Sequence, residues 1–93
     1  MTLKKLYQII EDRKENMPKD SYVASLLKNG KDRIIQKIGE ESTELIIAAK
    51  GKSRQRIISE AADLIFHLLV FLSSINVSLD DIYRELNVRN KKK

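Results

Sequence analysis

Residues 34–50 read IIQKIGEESTELIIAAK, and residues 61–72 read AADLIFHLLVFL. At 100° per residue the first segment places Ile34, Ile38, Leu45 and Ala48 on one stripe, the signature of an amphipathic helix, and Glu41 falls in the middle of that stripe. Glu44 lies next to Glu41, one turn on. In the second segment only Asp63 and His67 interrupt an apolar run. A helix apolar on nearly all sides is expected to be buried on nearly all sides, with Asp63 in the interior and Glu60 at the rim of the same flank. These two segments predict a pair of long central helices joined by a short basic turn.

Carboxylates buried near one another must be neutralised by protons, by a cation or by paired bases. The spacings Glu41-x-x-Glu44 and Glu60-x-x-Asp63 put each pair one turn apart on one face, so both side chains can converge on one ion. Four carboxylates on two facing helices point to a hard divalent metal, Mg²⁺ with Mn²⁺ as the alternative, held by oxygen alone.

The remaining chain reads as shorter helices around this pair. Thr2 is placed to cap a helix from about Leu3 to Arg13, which Pro18 prevents from continuing. Ser21 caps a short helix from Tyr22 to Lys28, and Gly30 is expected in the left-handed conformation after its end. Asp32 is the expected cap of the third helix, which continues to Lys50 and is ended by Gly51. Ser53 caps the fourth, which runs to about Ile75; Asn76-Val77 forms a turn. Ser78 caps a last helix from Leu79 to about Val88, with Asp80 and Asp81 facing the positive end of its dipole. No stretch alternates with period two. The expectation is one all-α domain over residues 1–93, a bundle of four to five helices with two long central ones.

A chain of 93 residues is short for a self-sufficient core, and 42% of it is hydrophobic. That combination favours a two-fold homodimer. The absence of cysteine excludes disulfides and thiolate metal sites. The first residues are soon charged and unlike a signal peptide, and the longest near-apolar run is a dozen residues against the roughly 20 of a membrane span, so a cytoplasmic protein without a membrane partner is expected. A formal net charge of +5 suits an anionic small-molecule ligand such as a nucleotide. The tail Lys91-Lys92-Lys93 reads as a frayed end.

Each constellation has a plainer reading. Glu40, Glu41 and Glu44 could be a solvated face paired to Lys37 and Lys50, which fits Glu40 but not Glu41 within its stripe. Glu60 could be paired to Arg56. His67, one turn after Asp63, is read as orienting the Asp63 carboxylate by a hydrogen bond and not as a metal ligand. Of the basic residues Lys28, Lys31, Arg33, Lys37, Lys50, Lys52, Arg54 and Arg56, most read as solvated surface, and some are expected to reach the mouth of the metal site, where a polyphosphate would need counter-charge. The aromatic residues read as packing.

The same residues carry a resemblance. Ile38-Gly39-Glu40-Glu41-Ser42-Thr43-Glu44-Leu45, Ala48-Ala49-Lys50, Glu60-Ala61-Ala62-Asp63-Leu64 and His67-Leu68-Leu69-Val70 resemble the phosphoribosyl-ATP pyrophosphohydrolase family, within the all-α, MazG-like nucleotide pyrophosphohydrolase superfamily. Ser21-Tyr22, Leu27, Gly30, Lys37, Ser78-Leu79-Asp80-Asp81 and Arg89 extend the likeness over nearly the whole chain. It departs at Val23, where a small or hydroxylated residue is expected, and no fused cyclohydrolase domain is expected, so that the next pathway step would reside on a separate protein. The resemblance implies the dimeric architecture of that superfamily and Mg²⁺-dependent hydrolysis of 1-(5-phosphoribosyl)-ATP to 1-(5-phosphoribosyl)-AMP and pyrophosphate, the second step of histidine biosynthesis. It implies Glu41, Glu44, Glu60 and Asp63 as metal ligands. Glu40 is then a candidate to orient or deprotonate the attacking water, a role Glu44 could share.

Three other functions compete. A house-cleaning nucleoside triphosphate pyrophosphatase would use the same carboxylates. A non-catalytic basic dimer binding nucleic acid leaves Glu41 and Asp63 unexplained. A di-iron bundle normally needs Glu-x-x-His twice, and the chain has a single histidine.

Overall fold

The computed structural model describes residues 1–90, and the Lys91-Lys92-Lys93 tail lies outside them. Five helices follow one another: α1 (Leu3–Asn16), α2 (Tyr22–Asn29), α3 (Lys31–Gly51), α4 (Arg54–Ser74) and α5 (Leu79–Asn90). The all-α expectation holds. The caps read from sequence are in place: the Thr2, Ser21, Ser53 and Ser78 hydroxyls accept from the backbone N–H groups of Lys5, Ala24, Arg56 and Asp81 at 3.0, 3.1, 3.3 and 3.1 Å. Asp81 returns the favour by accepting from Ser78 N at 2.9 Å, which closes a reciprocal box at the start of α5.

The junction of α2 and α3 is tighter than the sequence suggests. Gly30 alone separates the two helices: its N–H donates to Leu27 O at 3.2 Å, and its carbonyl accepts from Ile34 N at 3.4 Å. Its φ of +97° with ψ 168° lies in a region that a side chain resists, not in the left-handed helical region expected. With no spacer, Gly30 takes the N-cap place and Asp32 falls in the first turn of α3, so Asp32 is not the cap. Left-handed residues instead close the other breaks, at Met17, Lys52 and Asn76.

The antiparallel pair of α3 and α4 makes the most extensive of the helix contacts; α1 lies on α4, and α2 wedges between α1 and α3. The core joins Ile10, Val23, Leu26, Ile34, Leu69, Val70 and Leu79, with Phe66, Phe71 and Leu72 packed against it. Val23, the departure from the family pattern, is one of these core residues, which explains an apolar side chain there.

The expectation that α4 is buried on nearly all sides fails for a single chain. Ile58, Ile65 and Leu68 of α4 are 57%, 40% and 42% exposed, and Ile35, Ile46 and Ile47 of α3 are 50%, 57% and 50% exposed. By length and composition alone α4 is apolar enough to cross a bilayer. It nevertheless carries the polar residues Glu60, Asp63 and His67, of which His67 alone is buried. A run of apolar residues marks what must be covered, and the fold of one chain covers only part of it.

Candidate metal and nucleotide site

Helices α3 and α4 bring three carboxylates together. Glu41, Glu60 and Asp63 each offer an oxygen, and these atoms all lie within 4.8 Å of one another. The α3 stripe directs Glu41 towards α4, and the spacing of Glu60 and Asp63 puts both on one flank of α4. Glu41 and Glu60 are half-buried, whereas Asp63 is exposed. The interior position expected for Asp63 is thus not found: it lies at the exposed edge of the α4 flank that meets α3. Burial, reinforced by the charges of Asp63, Glu41 and Glu44 and opposed by Arg56, holds the Glu60 carboxyl above its ordinary value.

Lys37 pairs with this trio through Glu41. Lys37 Nζ lies 3.3 Å from Glu41 and 3.5 Å from Glu40. Burial works against its charge, but the hydrogen bond to Glu41 and the fields of Tyr22, Glu41 and Glu40 outweigh it and hold the ammonium above its ordinary value. Glu40 also accepts from Gln36 Nε2 at 3.0 Å and lies 3.8 Å from Arg33. Glu44 stands outside the trio, exposed, with Arg56 at 3.8 Å. Glu40 and Glu44 share a shallow groove with Gln36, Gly39 and Thr43 on the other side of α3.

A family model described as phosphoribosyl-ATP pyrophosphohydrolase matches residues 3–90. Proteins called phosphoribosyl-ATP pyrophosphatase are similar along nearly their whole length. The one from Methanosarcina acetivorans is 49% identical over 92 residues, 97% of this chain and 88% of the relative. The one from Sulfolobus acidocaldarius is 51% identical over 88 residues, 95% of this chain and 93% of the relative. The one from Clostridium acetobutylicum is 48% identical over 97% of this chain and 82% of the relative. The chain belongs to the phosphoribosyl-ATP pyrophosphohydrolase family.

The donor set fits the hard cation that this family implies. The converging ligand atoms are all carboxylate oxygens, the donors that Mg²⁺ and Mn²⁺ prefer. The repulsion that burdens Glu60 is what a divalent ion relieves. His67 is not part of the set. Its Nδ1 meets the main-chain oxygen of Asp63 at 2.7 Å, and its Nε2 meets the Tyr22 hydroxyl at 2.9 Å. The expected bond to the Asp63 carboxylate is therefore replaced by one to the backbone. An i−4 carbonyl lies within reach of any histidine in a helix, whereas the Asp63 side chain points to the cluster. Both ring nitrogens are engaged within the protein.

The basic candidates do not form one patch on the protomer. Arg33 and Lys37 join Glu40 and Glu41. Lys28 and Lys31 are exposed around the Gly30 junction. Lys50 is exposed thirteen residues beyond Lys37, about 20 Å along the same helix. Tyr22, expected from the sequence to serve packing alone, also bonds to His67. Its ring does stack on Phe66, 6.0 Å between centroids, and only the hydroxyl at its edge carries the polar contact.

Proposed function

We propose that this protein is a Mg²⁺-dependent phosphoribosyl-ATP pyrophosphohydrolase working as a cytoplasmic homodimer. Family membership makes it a hydrolase of the pyrophosphate bond, at the histidine-biosynthetic step that turns 1-(5-phosphoribosyl)-ATP into 1-(5-phosphoribosyl)-AMP and pyrophosphate. The observation that carries the metal reading is the convergence of Glu41, Glu60 and Asp63.

In this reading Glu41, Glu60 and Asp63 hold the ion, and Glu44 completes the set by turning away from Arg56. The ion supplies charge neutralisation for the triphosphate and acidity for water. Lys37 and Arg33 meet the phosphates nearest the cluster; Lys28, Lys31 and Lys50 meet the outer parts of the nucleotide, Lys50 from the second copy. Glu40, one ammonium away from Glu41 and outside the trio, orients and deprotonates the water that opens the α–β bridge. The water oxygen joins one phosphorus, its proton passes to the carboxylate, and the bridge oxygen stays with the leaving phosphate. The exposed apolar stripes of α3 and α4 support the dimer. A nucleic-acid partner is not part of this reading, because the cations nearest the cluster are held by carboxylates.

Pyrophosphate release from phosphoribosyl-ATP, with and without Mg²⁺, is the test. Glu41→Gln and Asp63→Asn are expected to lower turnover by roughly 100-fold or more with helical circular dichroism retained. Unchanged turnover would remove the metal site. Turnover of dUTP or common nucleoside triphosphates without turnover of phosphoribosyl-ATP would favour the house-cleaning activity.

A further inference from the structure

Lys37 holds an unusual position for a residue expected to bind phosphate. Its ammonium does not extend towards solvent; its side chain is 19% exposed and lies against Glu41, itself 12% exposed and one of the three converging carboxylates. It also touches Glu40, which is anchored independently by Gln36 and Arg33. We propose that Lys37 is an internal stand-in for the metal ion: it neutralises Glu41 in the free protein and is released to the substrate's triphosphate when the divalent cation takes its place. This deepens the reading of Glu41, Glu60 and Asp63 as the metal-binding set and rests on it.

The physical argument is competition for one carboxylate. A monovalent ammonium beside Glu41 lowers the negative potential that a divalent cation needs, so the free protein binds metal less tightly than the carboxylates alone would. Glu40 makes the exchange local. A lysine is a compact charge on a flexible stem, so Lys37 can leave Glu41 while keeping Glu40 within reach. The released ammonium then sits beside the new anion, a phosphate chain brought in with the cation. Cation and triphosphate therefore favour each other's binding, and the coupling is reciprocal. The free site is kept from holding stray cations, and the full site is assembled only around a metal–nucleotide pair.

The test is Mn²⁺ binding without nucleotide, read from the loss of the free-ion electron paramagnetic resonance signal, for the wild type, Lys37→Met, Lys37→Arg and Glu41→Gln. Lys37→Met is expected to bind Mn²⁺ roughly fivefold tighter than wild type, the scale of a partly exposed ion pair. Lys37→Arg, which keeps the charge, is expected to bind as wild type does. Lys37→Met is also expected to raise KM for phosphoribosyl-ATP at saturating Mg²⁺, since the triphosphate loses its cation. Equal or weaker Mn²⁺ binding by a Lys37→Met protein of native circular dichroism overturns the stand-in role. Wild-type Mn²⁺ binding by Glu41→Gln is a different result, which overturns the metal-set reading beneath it.

Discussion

Tyr22 and His67 meet across the α2–α4 interface, phenol oxygen to Nε2 at 2.9 Å, and the bond has one polarity. The Asp63 carbonyl can only accept, so His67 Nδ1 carries the proton and Nε2 accepts from the Tyr22 hydroxyl. Tyr22 lies at the start of the helix that precedes the Gly30 junction, and Asp63 is one of the clustered carboxylates. Two hydrogen bonds thus tie α2 to the turn of α4 that bears the acid.

Tyr22→Phe keeps the ring against Phe66 and removes the donor to a buried nitrogen. The expected cost is about 1–2 kcal/mol of stability, read from urea unfolding. His67→Leu removes the acceptor, and the double variant is expected to cost less than the sum of the two, because the second change has no bond left to break. Strict additivity would mean that the bond contributes nothing to the fold.

Glu60 shows a site set against stability. Its carboxyl is held above the ordinary value by burial first and by its acidic neighbours second. A raised value in the folded state means that the folded chain binds the proton more tightly than the unfolded chain. Stability is then fully present below the unfolded value near 4.5 and is lost as pH rises through the higher folded value. At neutral pH the ionised Glu60 therefore works against the metal-free fold. Glu60→Gln is expected to raise the metal-free melting temperature at pH 7, to leave it less changed near pH 4, and to abolish the stabilisation that added Mn²⁺ gives the wild type. Scanning calorimetry at both pH values, with and without Mn²⁺, checks all three.

At the other end of α4 the ordering polar groups are of a different kind. The Tyr7 hydroxyl donates to Val77 O at 2.7 Å, Lys14 Nζ donates to Ser73 O at 2.7 Å and to Asn76 Oδ1 at 2.8 Å, and Ser73 donates to Glu11 at 2.8 Å. Together they fasten α1 to the turn that launches α5. Burial, with the nearby Glu11 carboxylate, pushes the Tyr7 phenol up to about 12 from 10.0. The folded state holds this proton more tightly, so the stabilisation is complete below pH 10 and is lost as pH rises towards 12. Tyr7→Phe is expected to cost about 1 kcal/mol at pH 7 and to show a smaller further loss across that alkaline window than the wild type. Parallel loss in both proteins would detach the alkaline transition from Tyr7.

How much of this could be read beforehand depended on the range of the interaction. The caps Thr2, Ser21, Ser53 and Ser78 act within three residues of themselves and were legible. The facing of α3 and α4 was legible too, because a stripe with Glu41 in it has one sensible partner. Asp32 was misread because the single-residue junction at Gly30 left it no place outside the helix. The His67 partner was misread because a main-chain oxygen has no letter in the sequence. Lys37 bridging Glu40 and Glu41 is a pairing at helical spacing that sequence offers, but its burial beside Glu41 depends on how α2, α3 and α4 meet. The burial of Asp63 was misjudged because apolar patterning does not say whether a face is covered by its own chain or by another.

That last distinction gives the final prediction. Ile58, Ala62 and Ile65 recur at i, i+4 and i+7 on α4, and all three are exposed. On α3 Ile35 and Ile46 lie on one stripe eleven residues apart. Single exposed apolar residues are ordinary, but two stripes on the two longest helices amount to a face that water disfavours. The proposed dimer covers it. The wild type is expected to run as a dimer in size-exclusion chromatography with light scattering, and its melting temperature is expected to rise with protein concentration. Ile65→Glu, at a residue outside the proposed ligand set, would place a charge on the α4 stripe. It is expected to shift the protein to monomer, to remove the concentration dependence and to lower turnover, since the proposed site would lose the Lys50 of the second copy. A variant that remains dimeric and fully active would mean that α4 does not form the interface.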